Sequence, residues 1–226
     1  MVTKIGHRGA MGYAPENTLK SFKKALELNV DAIELDVYIC KSGELVVIHD
    51  DKVNRTTNGK GYVAEKTFKE LRALDAGEKE KIPELKEVFD LVNKKVNINI
   101  ELKATGTAKP VYELIELYIK EKSWKYEHFL ISSYNHYELR EFNRLSPNIK
   151  IGALLTGIPI GFAEFAEKIN ASSVNLCADF INKEFIDDAH NRGLKVYVET
   201  VNDLDDIGRM KALGVDGIFS NFPDRL

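Results

Sequence analysis

Residues 32–49 of this 226-residue chain read AIELDVYICKSGELVVIH, and this stretch decides how the rest of the fold is organised. Its two apolar runs are joined by the turn Lys41-Ser42-Gly43, which is too short for the crossover between parallel strands. The runs are therefore predicted to pair as an antiparallel hairpin. In that hairpin, positions 34 to 36 lie opposite roughly 48 to 50. His49 is therefore predicted to lie beside the strand that contains Glu34 and Asp36, which is the second strand of the chain.

Short apolar or alternating runs recur along the chain, and windows with apolar residues at helical spacing separate most of them. The nine predicted strands are Lys4 to His7, Ala32 to Val37, Leu45 to His49, Val96 to Leu102, Phe129 to Ser132, Ile149 to Leu155, Ser173 to Leu176, Lys195 to Val198 and Gly217 to Ser220. Strands that alternate with helices indicate parallel βαβ units. Without the return strand of the hairpin, eight parallel strands remain, as a (β/α)8 TIM barrel requires. A doubly wound open sheet is the competing fold, and periodicity does not separate the two.

The polar stretch 51–82 interrupts this alternation and contains a single weak helical pattern, near Thr67 to Leu74. We predict one barrel domain over 1–226, with 51–82 as a small cap inserted between strand 2 and helix 2. The cap would lie above the carboxyl-end rim, where barrel active sites are found. Pro83 is predicted to open the helix that follows.

Composition excludes several classes of function. The chain has 32 Lys and Arg against 35 Asp and Glu, so its net charge of −3 offers no bulk attraction for nucleic acid or an anionic membrane. No apolar run approaches the ~20 residues that span a bilayer, and no secretory signal is visible. Two cysteines cannot make a disulfide framework. We expect a cytoplasmic protein without stable membrane association, and the sequence leaves a homo-oligomer open.

Acidic residues stand within apolar strands, where a charge is costly unless it is paired or coordinated. Glu34 and Asp36 are spaced by two near the end of their strand, as are Glu101 and Lys103. Residues with this spacing share one face of a strand. Three converging carboxylates would form a hard, oxygen-rich site for Mg²⁺ or Ca²⁺. The alternative is an internal salt-bridge network with Arg8 and Lys103.

Two histidines are predicted to flank this site. His7 ends strand 1 with Arg8 beside it, and His49 ends the hairpin's return arm at the mouth of strand 2. A metal and cationic side chains would take the oxygens of a phosphoryl group, while the imidazoles move protons. Glu16 and Asn17 have two open interpretations, orientation of Arg8 or capping of the first helix.

Ten segments, in order along nearly the whole chain, resemble the glycerophosphodiester phosphodiesterase family of small (β/α)8-barrel enzymes. The matching segments are Gly6-His7-Arg8-Gly9, Pro15-Glu16-Asn17-Thr18, Glu34-Leu35-Asp36-Val37, His49-Asp50, Arg55-Thr56-Thr57-Asn58-Gly59-Lys60-Gly61, Leu74-Asp75-Ala76-Gly77, Ile82-Pro83, Glu101-Leu102-Lys103, Thr200-Val201-Asn202 and Asp216-Gly217-Ile218. The resemblance implies hydrolysis of deacylated phospholipids to glycerol 3-phosphate and an alcohol.

The resemblance also implies a function for each site residue. His7 and His49 correspond to the acid/base pair, and analogy with related phospholipases favours His7 as the base and His49 as the acid. The metal ligands correspond to Glu34, Asp36 and Glu101, and the phosphate contacts to Arg8 and Lys103. Whether water or the adjacent glycerol hydroxyl attacks, with a cyclic phosphate in the second case, stays open.

Glu199 departs from the family pattern, in which a tryptophan often precedes the Thr-Val-Asn segment. A carboxylate there would receive a cationic or hydroxyl-rich alcohol, or join the metal's shell, so Glu199 is a predicted substrate-binding residue. Two other functions are alternatives. The pair His7 and His49 with Arg8 argues against a metal-dependent sugar isomerase, because a neutral sugar needs no cationic groups, and a purely binding barrel would not need two proton carriers.

Overall fold

The computed structural model describes residues 1–226 and shows strands and helices in alternation. The strands are β1 (Thr3–Gly6), β2 (Ala32–Ile39), β3 (Leu45–Val47), β4 (Asn97–Leu102), β5 (Phe129–Ser133), β6 (Lys150–Leu155), β7 (Ser173–Cys177), β8 (Lys195–Glu199) and β9 (Gly217–Ser220). The α-helices are α1 (Leu19–Glu27), α2 (Phe68–Ala73), α3 (Leu85–Val92), α4 (Ala108–Lys122), α5 (His136–Leu145), α6 (Glu164–Glu167), α7 (Lys183–Asn191) and α8 (Leu204–Leu213). None of these helices has the length and apolarity needed to cross a membrane.

Eight of the nine strands close into a parallel barrel. The order runs β1-β9-β8-β7-β6-β5-β4-β2, and β1 pairs in parallel with both β9 and β2. This closure confirms the TIM barrel over the open doubly wound sheet. The remaining strand, β3, pairs with β2 alone and antiparallel, with Val37 opposite Val47. The predicted hairpin is therefore confirmed, and it places Ile48 opposite Asp36 through a 3.0 Å bond from the Ile48 N–H to the Asp36 carbonyl.

The main core lies between the barrel and its ring of helices. Alternate residues of β2, such as Leu35 and Val37, are fully buried on that side. From α3, Phe89 packs its ring 5.0 to 5.5 Å from the rings of Tyr118, Trp124 and Phe129. Burying each large apolar side chain contributes about 1.5–3 kcal/mol, so this layer holds the strand ends in fixed positions.

The ends of α8 carry residue types that favour helix ends, whereas the start of α3 differs from the prediction. Asp203 caps α8 with its side chain, and Gly214 ends that helix in the left-handed conformation. The prediction that Pro83 opens a helix is wrong. The carbonyl of Pro83 accepts a hydrogen bond from the Val47 N–H at 2.9 Å, which holds it beside β3, and Glu84 becomes the N-cap of α3.

The segment 51–82, which we call the cap segment, packs on the β2–β3 hairpin around a small apolar cluster of its own. It contains α2, which begins with a capping box between Thr67 and Glu70, as the weak helical pattern indicated. Val53, Val63 and Leu71 are fully buried within the cluster. The segment is thus held rigidly beside the end of β3, where His49 lies.

Candidate metal and phosphate site

Three carboxylates meet at the carboxyl ends of two neighbouring barrel strands. Glu34 and Asp36 alternate on β2 with Leu35, which packs in the helix-side core. Asp36 lies in register with Glu101 of β4. Oxygen atoms of the three carboxylates lie within 4.8 Å of one another, and all three side chains are buried. The structure therefore brings the three predicted metal ligands together.

Crowding of like charges makes this cluster unfavourable on its own. Burial, and then the charges of Asp36 and Glu101, raise the pKa of Glu34 well above its usual range. Burial, followed by the charge of Asp36, raises the pKa of Glu101 to about 8. Burial also opposes the ionisation of Asp36, but Lys103 and Arg8 outweigh it and hold its pKa below the usual value. A cation among the carboxylates would relieve this repulsion.

Two protein cations, Lys103 and Arg8, lie beside the cluster. Lys103 Nζ lies 2.7 Å from Glu101 Oε1 and 3.5 Å from Asp36 Oδ1, and Arg8 Nε lies 3.5 Å from Asp36 Oδ2. The buried Oδ1 of Asp36 has no hydrogen-bond partner. Three buried carboxylates, one with an unpartnered oxygen, could hold a hard divalent cation.

The loop after β1 joins Arg8 to this cluster. The Arg8 backbone has a φ of 50°, in the left-handed region that non-glycine residues rarely adopt. This conformation allows the Arg8 N–H to donate to Glu34 Oε2 at 2.8 Å, while its guanidinium faces Glu16 and Asp36. The loop is therefore shaped by contacts with the site.

The structure decides between the two interpretations of Glu16 and Asn17. The cap of α1 is Thr18, whose side chain accepts a backbone hydrogen bond. Glu16 Oε1 accepts from Arg8 Nη1 at 2.7 Å, so Glu16 orients Arg8. Asn17 Nδ2 donates to Asp36 Oδ2 at 2.7 Å. That bond fixes Oδ2 of Asp36, whereas Oδ1 accepts no hydrogen bond.

His7 follows β1 and is held by a residue from the far end of the chain. Its Nδ1 lies 2.7 Å from Asn221 Oδ1, just after β9. Because an amide oxygen only accepts, Nδ1 carries the proton and Nε2 presents a lone pair. Burial, and then the charge of Arg8, lower the pKa of His7 to about 4, so its imidazole is neutral at pH 7.

His49 lies just beyond β3, on the cap side of the cluster. Its Nδ1 lies 2.6 Å from Asp50 Oδ1, a carboxylate that fixes the orientation of the ring. His49 follows Ile48, whose N–H donates to the Asp36 carbonyl at 3.0 Å, and His7 precedes Arg8, whose N–H donates to Glu34 at 2.8 Å. The two predicted proton carriers therefore both lie near the carboxylate cluster.

Glu199, at the end of β8, faces the open part of the mouth. Its Oε1 accepts from the Tyr134 hydroxyl at 2.6 Å, across the width of β6 and β7. Burial raises the pKa of Glu199. Tyr134 also lines a cavity of about 660 Å³ that reaches Glu101 and Lys103. This cavity gives a ligand at the cluster room to extend toward β5.

Four residues that hold the site were not singled out from the sequence: Asp50, Arg55, Tyr134 and Asn221. Asp50 and Arg55 lie within the segments that carry the family resemblance, so attention to those segments would have found them. Tyr134 and Asn221 each come directly after a barrel strand, where functional side chains of this fold are found. Both positions could have been proposed from that rule alone.

Fold and site together define a (β/α)8 barrel whose mouth combines three buried carboxylates that could hold a cation, two cationic side chains and two histidines. The sequence profile of the glycerophosphoryl diester phosphodiesterase family matches residues 7–225. The chain belongs to this family, which confirms the resemblance seen in the sequence.

Individual relatives are similar over their whole length. A glycerophosphodiester phosphodiesterase of Caldanaerobacter subterraneus subsp. tengcongensis is 40% identical, with 98% of this chain and 95% of that protein covered. One from Bacillus altitudinis is 39% identical, with 99% and 96% covered. Among solved structures, an Oleispira antarctica phosphodiesterase in complex with the product sn-glycerol-3-phosphate has a TM-score of 0.91 at 30% identity, covering 99% of this chain and 94% of its own.

Proposed function

We propose that this chain hydrolyses glycerophosphodiesters to glycerol 3-phosphate and an alcohol, with a divalent metal held by Glu34, Asp36 and Glu101. The observation that carries the proposal is the unpartnered oxygen of Asp36 within three crowded carboxylates, close to two histidines. The similar Oleispira antarctica phosphodiesterase holds sn-glycerol-3-phosphate, the product that the proposal requires. Such a metal, Mg²⁺ or Ca²⁺, would polarise the phosphoryl oxygens when bound.

Arg8 and Lys103 would bind the phosphate. Both are partly buried, and each is held by a carboxylate, Arg8 by Glu16 and Lys103 by Glu101. Charges fixed in this way before the substrate arrives need little reorganisation as negative charge develops on the phosphoryl group. A neutral sugar substrate would leave these two cations without a function, which disfavours the sugar isomerase.

His7 is the base in this proposal. Its neutral imidazole presents Nε2 as a proton acceptor, because Nδ1 is engaged by Asn221. It would take the proton of the attacking hydroxyl, either of water or of the substrate's adjacent glycerol group. The deprotonated oxygen then forms a bond to phosphorus as the bond between phosphorus and the oxygen of the leaving alcohol breaks.

His49 is the acid. When protonated, the ring is held by Asp50 at 2.6 Å and would give a proton to the departing alkoxide. His7 follows β1 and His49 follows β3, so the two proton carriers of the proposal come from different elements of the barrel. The cap segment, next to His49, would cover this end of the site.

Glu199 would contact the leaving group. One of its oxygens is bonded to Tyr134, and the cavity beside Tyr134 continues from Lys103. The wall therefore offers acceptors and a negative charge, which suit an alcohol that carries an ammonium group or hydroxyls. Cytoplasmic location and homo-oligomer formation remain predictions.

The direct test is release of glycerol 3-phosphate from glycerophosphoethanolamine and glycerophosphocholine in excess chelator, followed by restoration of Mg²⁺ or Ca²⁺. We expect activity to disappear with chelator and to return with metal. Activity that persists in chelator would contradict the metal requirement. Absence of turnover of both substrates with every metal would contradict the hydrolase itself.

A further inference from the structure

Arg55 of the cap segment contacts two carboxylates that belong to different parts of the site. Its Nη1 and Nη2 donate to Glu16 at 2.7 and 2.8 Å, and its Nε and Nη2 donate to Asp50 at 2.8 and 2.9 Å. One guanidinium thus joins the loop after β1 to the residue that follows His49.

Each of these carboxylates in turn holds one functional side chain. Glu16 Oε1, which accepts from Arg55, also accepts from Arg8 Nη1. Asp50 Oδ1, which accepts from Arg55, also binds His49 Nδ1. The path Arg8–Glu16–Arg55–Asp50–His49 is therefore continuous, and every link is between 2.6 and 2.9 Å long.

Stability alone does not account for this arrangement. Arg55 is 48% exposed, and an ion pair in contact with solvent adds little to folding free energy. The planar fork of arginine matches two carboxylates at once, which the single ammonium of lysine does not. Hydrogen bonding from Arg55 holds the pKa of Asp50 far below its usual range, so that side chain stays an acceptor for His49.

We infer that Arg55 is a positioning residue that orients His49 through Asp50 and Arg8 through Glu16, so that correct seating of the cap segment assembles the proton donor and the phosphate contact together. The inference rests on the proposed function, because it assigns His49 to protonation of the leaving group. Arg55 itself forms ion pairs with Glu16 and Asp50 and not with the three carboxylates of the proposed metal site, and it does not line the cavity beside Tyr134.

The test compares leaving groups. Glycerophosphoethanolamine releases an alkoxide that needs a proton, whereas the glycerol phosphodiester of 4-nitrophenol releases a stable phenolate. Arg55→Lys is expected to lower kcat about tenfold or more on the first substrate and less than threefold on the second, since general acid catalysis contributes about 10²–10⁴-fold. KM should rise on both substrates, because Arg8 is loosened as well.

Two further variants separate positioning from stability. Arg72→Lys is the matched control, since Arg72 also lies in the cap segment and binds a carboxylate, Glu87, through two hydrogen bonds of 2.8 and 2.6 Å. It should lower the melting temperature at least as much as Arg55→Lys without changing the kcat ratio of the two substrates. Asp50→Asn changes the group that binds His49 and leaves both hydrogen bonds from Arg55 to Glu16 available, so it should change that ratio with little change in KM.

The outcomes are distinct. A kcat ratio that stays at the wild-type value in both Arg55→Lys and Asp50→Asn, with active wild-type enzyme, would overturn the positioning assignment and leave the proposed function intact. The same ratio change in Arg72→Lys would also overturn it, by showing that any loosening of the cap segment suffices. A wild-type protein that hydrolyses neither substrate would overturn the proposed function and the inference together.

Discussion

The two sides of the barrel mouth differ in how firmly they hold their side chains. On the side of β1, β2 and the cap segment, Arg8 and His49 are each held by a carboxylate that Arg55 also contacts. On the side of β5 to β8, Tyr134 is 47% exposed and Tyr137 is 75% exposed, beside an open cavity. Hydrogen bonds on that side converge on one exposed residue: Tyr134 donates to Glu199 at 2.6 Å and accepts from Thr156 at 3.5 Å.

This difference corresponds to the two ends of the proposed substrate. Phosphoryl chemistry requires charges and proton carriers in fixed positions, because small displacements reduce the rate steeply. The alcohol that leaves does not have to be held as tightly, and an open wall accepts alcohols of different size. Changes on the fixed side should therefore act on turnover, and changes on the open side should act on substrate preference.

The largest effect should follow loss of a proton carrier on the fixed side. His7→Ala and His49→Ala are each expected to lower kcat about 10²–10⁴-fold, because each removes one proton transfer. The folded structure should persist, since both residues lie at the rim, which circular dichroism would show. His190→Ala is the control, as His190 pairs with Asp216 on the exposed surface. Rates like those of the wild type in both site variants would contradict their assigned functions.

The second effect concerns the metal. Asp36→Asn should weaken binding of Mg²⁺ or Ca²⁺, measured by titration calorimetry, at least about tenfold, because it removes the charge at the centre of the cluster. Glu138→Gln removes another buried carboxylate, which binds the backbone of Gly106 and Ala108. That control should reduce stability but leave metal affinity unchanged. Equal affinity in Asp36→Asn would contradict the assignment of Asp36 as a ligand.

On the open side the expected effect is smaller and selective. Glu199→Gln should reduce the preference for glycerophosphoethanolamine over glycerophosphocholine about threefold to tenfold in kcat/KM, because an amide attracts the primary ammonium less strongly than a carboxylate. Glu164→Gln, a change at an exposed glutamate that pairs with Lys168, should leave the preference unchanged. A loss of kcat on both substrates without a change in preference would show that Glu199 acts on turnover and would contradict its assignment to the leaving group.

The smallest effect concerns stability and pH in the protein without metal. The pKa of Glu101 is raised from 4.5 to about 8 in the folded chain, so the folded chain holds this proton more tightly than the unfolded chain. The stability that results is complete below the unfolded pKa of 4.5 and is lost as pH rises through 8. The melting temperature in chelator should therefore fall by several degrees between pH 5 and pH 8.5. Glu101→Gln should reduce that fall, and a slope equal to the wild type would contradict the shift.

Much of the architecture followed from local pattern. The alternation of strands and helices predicted parallel βαβ units, compatible with a barrel or an open sheet, and the turn at Lys41-Ser42-Gly43 predicted the hairpin. The spacing of Glu34 and Asp36 placed both on one face of β2. The helix start at Pro83 was wrong, because a hydrogen bond to β3 keeps that residue outside the helix. A hydrogen bond from a distant strand therefore outweighs the preference of proline for the first turn of a helix.

What the sequence by itself determined is the type of each element and the side of each strand that carries charge, since both depend on residues a few positions apart. What only the tertiary structure decided is which distant side chains meet. His7 meets Asn221 across 214 positions, and Tyr134 meets Glu199 across 65. Arg55 likewise joins Glu16, which is 39 positions away in the sequence, to Asp50. Closure of the barrel and seating of the cap segment bring these groups together, and no local pattern encodes those distances.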